Sequence, residues 1–268
     1  MGTHQPLANS IAMPNLKHHL NSGFTLVEMA MVLMIIGLLL GGLVPTISSQ
    51  MEQQRLIETR KQLEGIQQAL IGYAIINDRL PCPATATSNG VENFNSVDDS
   101  SDNGYCSDFY DGFVPAATLG ISGGDSTGRV LDSWGNPIRY AVTKWSPTGN
   151  PFVFTKTGGM SATGISGLNS GSFTYLLVCS SANGIVTSPP SCGSTGSISL
   201  TPAPGVPALI FSTGGNGQNG NSADELENLE DNRVFISHEP MQDGFDDIML
   251  WLSPNTLVNR LVAAGKLP

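Results

Sequence analysis

The sequence predicts an α+β protein. One long N-terminal α-helix, membrane-spanning in its first half, packs on a C-terminal antiparallel β-sheet domain with long, disulfide-closed loops. Three observations carry this. An apolar run of 21 residues, Phe24 to Val44, is followed by an amphipathic stretch reaching Ile76. Beyond Pro81 the chain changes to short β-prone runs separated by Gly, Ser, Asn and Pro. All four cysteines, Cys82, Cys106, Cys179 and Cys192, fall in that second part.

The apolar run is long enough as a helix, about 31 Å, to cross a hydrocarbon core of about 30 Å. Glu28 interrupts it near its start. A carboxylate costs about 2.5–3.5 kcal/mol there on insertion scales, so it calls for a reason. Residues 1–23 hold Lys17 and three histidines and no acid, which sets the N-terminus cytoplasmic and the rest of the chain outside. Met13 is an alternative start, giving a shorter leader.

Ser22-Gly23-Phe24-Thr25-Leu26-Val27-Glu28 resembles the cleavage and methylation segment of type IV pilins and type II secretion pseudopilins. Gly23, Phe24, Thr25, Leu26, Glu28 and Pro45 agree with it in type and spacing. The rival reading is a plain signal anchor with a stray Glu. The resemblance implies that a prepilin peptidase cuts between Gly23 and Phe24 and methylates the new Phe24 amine. It also implies that Glu28 pairs with the Phe24 amine of a neighbouring subunit. The implied partners are that peptidase, other pilin or pseudopilin subunits, an assembly platform and inner-membrane lipid.

The helix continues past Pro45. Leu63, Ile66, Leu70 and Tyr73 recur at helical spacing, with Glu52, Arg55, Glu58, Lys61, Glu64 and Gln68 on the polar faces. From Phe24 to Ile76 this makes a rod of about 80 Å. Gly37, Gly41-Gly42 and Pro45 are its weak points, and a kink or local melting is expected around Gly41–Pro45. Pro81 and Pro83 end it. The domain plan is therefore 1–23 leader, 24–44 transmembrane and polymerisation helix, 45–80 amphipathic continuation, and 81–268 globular periplasmic β-rich domain.

Within the globular part, residues 84–128 read as polar loop with acidic runs at Asp98, Asp99, Asp102 and at Asp108, Asp111, and a short ordered piece at Val114–Gly120. Strands are expected at Ile138–Thr143, Phe152–Thr155, Phe173–Cys179, Ile198–Leu200, Ala208–Ser212 and Val234–Ser237. Trp134-Gly135-Asn136-Pro137 resembles the turn leading into the sheet of major pseudopilins, with Trp134 packed on the helix. A closing helix is framed by Ser253 at the N-cap, Pro254 at the first position and Gly265 past the last turn.

Setting the leader aside, 11 basic residues face 22 acidic ones. That balance argues against nucleic-acid binding, which needs a concentrated positive surface. An even cysteine count on the exported side favours disulfides, and bracketing of polar loops favours Cys82–Cys106 and Cys179–Cys192. The rival zinc site lacks short Cys spacings.

Gly215-Asn-Gly217-Gln-Asn-Gly220 satisfies a dinucleotide-binding pattern, but a polar, acidic stretch follows where an apolar helix is needed. That loop and its acidic sequel suit calcium better, with Asp224, Glu227 and Asp231 as ligands and the solvated acidic loop as the rival reading. The loop Ser212–Gly217 resembles the calcium loop of major pseudopilins, departing from it at Asn216. Asp243, Asp246 and Asp247 form a second acidic cluster. His238 is the one histidine beyond Gly23, and nothing singles out a pair of carboxylates for glycosidase chemistry, so no enzyme is expected.

The sequence thus points to a structural subunit of a type IV pilus or type II secretion pseudopilus. Its length and Gly/Ser-rich loops favour a minor, adhesive or priming one. The alternative is a membrane-tethered periplasmic binding module that never polymerises.

Overall fold

The computed structural model describes residues 23–96, 100–122, 124–144, 152–168, 175–193, 196–203, 205–220, 222–241 and 244–267, besides Gly2. The side chains of 41–47 and 218 are not among those described. The expected leader up to Ser22, with Asp98, Asp99 and Asp243, lies outside the described residues.

The chain divides into two compact units, Met1–Gln50 and Met51–Pro268. Helix α1 (Leu26–Asn77) contributes to both. Its assignment runs unbroken through Gly41, Gly42 and Pro45, so the expected local melting is absent. A single proline deletes one backbone bond, and the turns on either side keep theirs. In the first unit the large apolar side chains described are exposed: Leu26 is 87 % exposed and Leu38 69 %.

After α1 come β1 (Gly112–Phe113), α2 (Ala116–Leu119), β2 (Arg139–Val142), α3 (Gly159–Leu168), β3 (Leu177–Cys179) and the hairpin of β4 (Val186–Thr187) and β5 (Pro190–Ser191). Then follow β6 (Ala208–Ser212), α4 (Ala223–Asn228), β7 (Val234–Ile236), β8 (Ile248–Leu252) and α5 (Pro254–Ala263). An antiparallel sheet runs in the order β1-β2-β6-β8.

Side chains alternate across a strand, and here both faces find apolar cover. Tyr140, Val142, Ala208, Ile210, Ile248 and Leu252 share a core with Leu63, Ile66, Leu70, Ile71 and Ala74 of α1 and with Leu257 and Leu261 of α5. Their neighbours Ala141, Leu209, Phe211 and Met249 join Leu176, Val178, Val206 and Phe235 on the opposite face. A sheet buried on both sides reads as continuous apolar runs, which explains Ala208-Leu-Ile-Phe211.

The helix ends as expected. Asp78 takes a positive φ of 54° just past the last turn, and Pro81 and Pro83 follow. Arg79 then clamps Glu92 with two bonds of 2.7 Å, Nη1 to Oε2 and Nη2 to Oε1. Cys82 N and Tyr73 Oη donate to the same carboxylate. The pair is nearly enclosed, so each donor offsets part of its desolvation.

Several expectations change. Phe152–Thr155 is a turn, with Thr155 N and Lys156 N both donating to Phe152 O and Phe152 at φ 62°. Ile198–Leu200 contributes only a bridge from Ser199 to Cys179. β3 runs parallel to β7, so the wholly antiparallel pattern holds for the four-stranded sheet and not for this pair. β8, α3 and α4 were not expected at all.

Leu70→Ala is expected to lower the stability of the detergent-solubilised chain by about 2–5 kcal/mol. Ile57→Ala, at a 70 % exposed position of the same helix, should stay within about 0.5 kcal/mol. Urea denaturation reads both; equal losses would contradict the one-sided burial.

Candidate functional site

At the start of α1, Gly23, Phe24 and Thr25 stand outside the helix, which begins at Leu26. Thr25 acts as its N-cap. Glu28 N donates to Thr25 Oγ1 at 3.2 Å, while Thr25 N and Thr25 Oγ1 both donate to Glu28 Oε2 at 3.2 Å. Thr-x-x-Glu thus forms a reciprocal capping box that satisfies first-turn donors. Phe24 is 81 % exposed. Among the described residues, a Cβ built on Gly23 meets nothing within 4 Å. Among the described residues, no helix is long and apolar enough to cross a membrane.

In the second unit, Cys82 is bonded to Cys106 and Cys179 to Cys192. The turn at Trp134 joins three elements. Asp132 Oδ1 accepts from Trp134 N and Asn136 N, and its Oδ2 accepts from Ser212 Oγ of β6. Trp134 Nε1 donates to Glu52 Oε1 of α1 at 3.1 Å, and Asn136 Nδ2 donates to Gly214 O at 2.7 Å. Gly214 sits at φ 60°, and a Cβ there would lie 2.2 Å from Asp246 Oδ1. The glycine is required by this close approach of a carboxylate. β6 lies antiparallel between β2 and β8, so the glycine pattern after it opens no parallel βαβ unit.

The acids gather differently from the expected set. Asp224 accepts from Ala182 N at 2.6 Å and pairs with His238 Nε2 at 3.1 Å. Glu227 accepts from Asn232 Nδ2, and Asp231 is exposed. Among the described residues these three share no ligand cluster. Instead Glu225, Asp246 and Asp247 bring carboxylate oxygens within 4.8 Å of one another. A second capping box, Ser222 to Glu225, turns Glu225 inward, where it also accepts from Asn216 Nδ2 and Asp246 N. Sequence reasoning missed Glu225, although Ser222-x-x-Glu225 is itself a readable signal. In the sequence Asp246 and Asp247 read only as part of an acidic cluster with Asp243.

Burial pushes Asp247 up to about 7, with Glu225 and Asp246 adding to the rise and a 2.7 Å bond from Asn228 Nδ2 opposing it. Asp246 is raised too, chiefly by burial. Crowded, desolvated carboxylates of this kind fit an oxygen-seeking divalent cation such as calcium. Beside Asp247 opens a groove of about 1030 Å³ between α1 and the segment from Ser237 to Pro240, lined by Leu56, Ile57 and Leu200 together with Arg60 and Lys61.

Residues 19–44 match the family model described as the prokaryotic N-terminal methylation motif, the signal of type IV pilins and pseudopilins. The motif implies a structural protein and supports a pilin-like substrate of prepilin peptidase. No curated protein and no solved structure matches the chain.

Two outcomes test the acidic junction. The raised Asp247 favours the neutral acid in the fold, so its contribution is full below the unfolded carboxylate range and is lost as pH rises through about 7. In chelator, the full-length chain should lose stability on the order of 4 kcal/mol between pH 4 and pH 8 from this group. Asp247→Asn should flatten that part of a urea-denaturation profile; an unchanged slope would remove Asp247 as its source.

At pH 8, millimolar calcium should raise the melting midpoint above that in chelator by several degrees, since binding at 100 times the dissociation constant adds about 2.7 kcal/mol. Asp246→Asn with Asp247→Asn should erase the difference. A midpoint unmoved in the unmutated chain would leave the cluster a buried acid network and nothing more.

Proposed function

We propose that this chain is a structural subunit, and a minor one, of a type IV pilus or type II secretion pseudopilus. The observation that supports it is the methylation motif over residues 19–44, opening a helix whose described apolar side chains face outward. In this reading residues 1–23 are the leader. Prepilin peptidase cuts between Gly23 and Phe24 and methylates the new amine, and the helix from Phe24 to Val44 first holds the protein in the inner membrane. Residues 45–80 continue that helix, and residues 81–268 form the periplasmic domain. The protein then passes through the assembly platform into a fibre with other pilin or pseudopilin subunits.

Glu28 has a purpose in that fibre. Its carboxylate pairs with the methylated Phe24 amine of a neighbour, among apolar helices where a misplaced subunit would leave the charge buried and alone. The pair fixes register more than it adds net stability. A second reading rests on the groove beside Asp247: a tethered binding or adhesion module that never polymerises. Fibre recovery separates the two.

Mass spectrometry of the purified protein should find a chain beginning at methylated Phe24. Gly23→Val should block cleavage; since among the described residues no neighbour opposes a side chain there, the block would lie in the peptidase. Glu28→Ala should be processed and inserted yet largely vanish from sheared fibres. Equal recovery of Glu28→Ala and the unmutated chain would sink the register argument.

A further inference from the structure

We propose that the free edge of β8 takes an extended peptide from another polypeptide as an added strand. The peptide lies in the groove beside Asp247, with one of its carboxylates against Arg60 and Lys61. The inference rests on reading that groove as a binding site, and it holds whether or not the chain also enters fibres.

The direction of each main-chain group follows from the register. In an antiparallel pair a residue turns its N–H and C=O to the same neighbour, and the next residue turns both to the other side. Thr143 N donates to Pro207 O, so Leu209 and Phe211 face β2, while Ala208, Ile210 and Ser212 face β8. Their partners in β8 are Leu252, Leu250 and Ile248. Met249 and Trp251 therefore turn their main-chain groups away from the sheet. Gln67 Nε2 of α1 donates to Trp251 O at 2.9 Å, taking the place of a neighbouring strand's N–H. Among the described residues nothing bonds Met249 N or O from beyond that edge.

The opposite edge of the sheet is closed. Phe113 N of β1 donates to Ala84 O at 2.8 Å, and Ala84 N donates to Phe113 O at 2.9 Å. An edge strand without a partner invites pairing with another chain, and proteins ordinarily cover or blunt it. β8 is five residues long and carries no Lys or Pro. Ile248 and Met249 line the groove together with Ile57 and Leu200. Bounded by α1 and by Ser237–Pro240, the groove suits a single strand better than the edge of a second folded sheet, which brings its own covering layer.

Charge specifies the occupant further. Arg55, Arg79, Arg129 and Arg139 are each ion-paired. Arg60 and Lys61 are exposed, line the groove and have no ion pair among the described residues. Of the acids in the same lining, Asp247 is held by Asn228 Nδ2, while Glu64 and Glu239 add negative charge. One acidic side chain beside Arg60 and Lys61, with apolar ones around it, is therefore matched; a uniformly acidic strand is repelled. Main-chain bonds supply affinity in such strand addition, and alternate side chains supply selectivity.

The test offers a displayed library of short random peptides to the full-length chain in detergent. Selected peptides should be rich in β-branched residues and carry one Asp or Glu. The tightest is then synthesised with each amide N-methylated in turn. Methylation should weaken binding about fivefold to tenfold at every second position and little between, because only alternate amides face β8. Amide exchange over Ile248–Leu252 should slow when the unmodified peptide is bound. Arg60→Ala with Lys61→Ala, at exposed positions, should weaken that peptide about threefold to fivefold and leave its amide counterpart unaffected.

If no peptide is selected, the groove reading fails and takes this inference with it. Methylation without alternation, or exchange over Ile248–Leu252 unmoved by the peptide, would overturn strand addition while leaving the groove a binding site. Unchanged affinity in the doubly substituted chain would overturn the charge assignment. A dimer of the chain that the peptide dissociates would make a second copy the occupant, against the assignment to another polypeptide.

Discussion

The second unit depends on one packing event, the burial of the stripe Leu63, Ile66, Leu70, Ile71 and Ala74 against one face of the four-stranded sheet. Remove it and two elements fail together. The helix loses the surface that makes its second half amphipathic, and the strands lose cover on the side that carries Tyr140, Ile210 and Ile248. Polar bonds at both ends secure that contact. Arg79 and Glu92 lock the chain as it leaves the helix, and Tyr140 Oη donates to Pro81 O just beyond. The Trp134 turn fastens the other end, through Ser133 N to Thr59 Oγ1 and Gln62 Nε2 to Leu131 O.

The parts legible in the sequence are those governed by local period or by local stops. The spacing of Leu63, Ile66 and Leu70 marks the buried stripe, and the bracketing of polar loops by Cys82–Cys106 and Cys179–Cys192 marks the covalent closures. Ser253-Pro254 announces the last helix, though the Ser253 side chain makes no cap bond there. Strands β2, β6 and β7 lie within the expected runs. What escaped depends on partners far along the chain. Ile248-Met-Leu-Trp-Leu252 carries no alternation because both its faces are buried, by Leu250 on one side and Met249 on the other. Phe152–Val153–Phe154 has strand composition, yet Phe152 stacks on Tyr105 and Phe109 in a positive-φ turn that composition does not signal.

The acidic region shows the same division. Counting acids along the chain favours Asp224, Glu227 and Asp231, which are close in sequence. The fold instead selects Glu225 with Asp246 and Asp247, because a capping box at Ser222 rotates one acid inward and the Gly214 loop admits another. Two capping boxes, Thr25 to Glu28 and Ser222 to Glu225, fix the placement of these two acids. Both could be read from the spacing of hydroxyl and carboxylate three residues apart. Read only as a charge, Glu28 is a cost in an apolar helix; read as half of a box, it is also the helix's own terminator.

The two units answer to different surroundings. The second is acidic, disulfide-closed and built around a core buried on both sides of its sheet. The first leaves large apolar side chains exposed along one helix, Leu26, Leu33, Met34, Leu38 and Leu39 among them, far beyond what a soluble surface ordinarily carries. Such a surface needs a cover. In the proposed function lipid supplies it first, and neighbouring helices supply it afterwards. Apolar contact is equally satisfied by both and so cannot by itself drive the exchange, because lipid tails are as apolar as leucine. Glu28 breaks that tie. Lipid offers its carboxylate only the bonds of its own capping box, whereas a fibre adds a cation, so the one ionisable side chain in the run gives the helix a preference between two otherwise equivalent solvents.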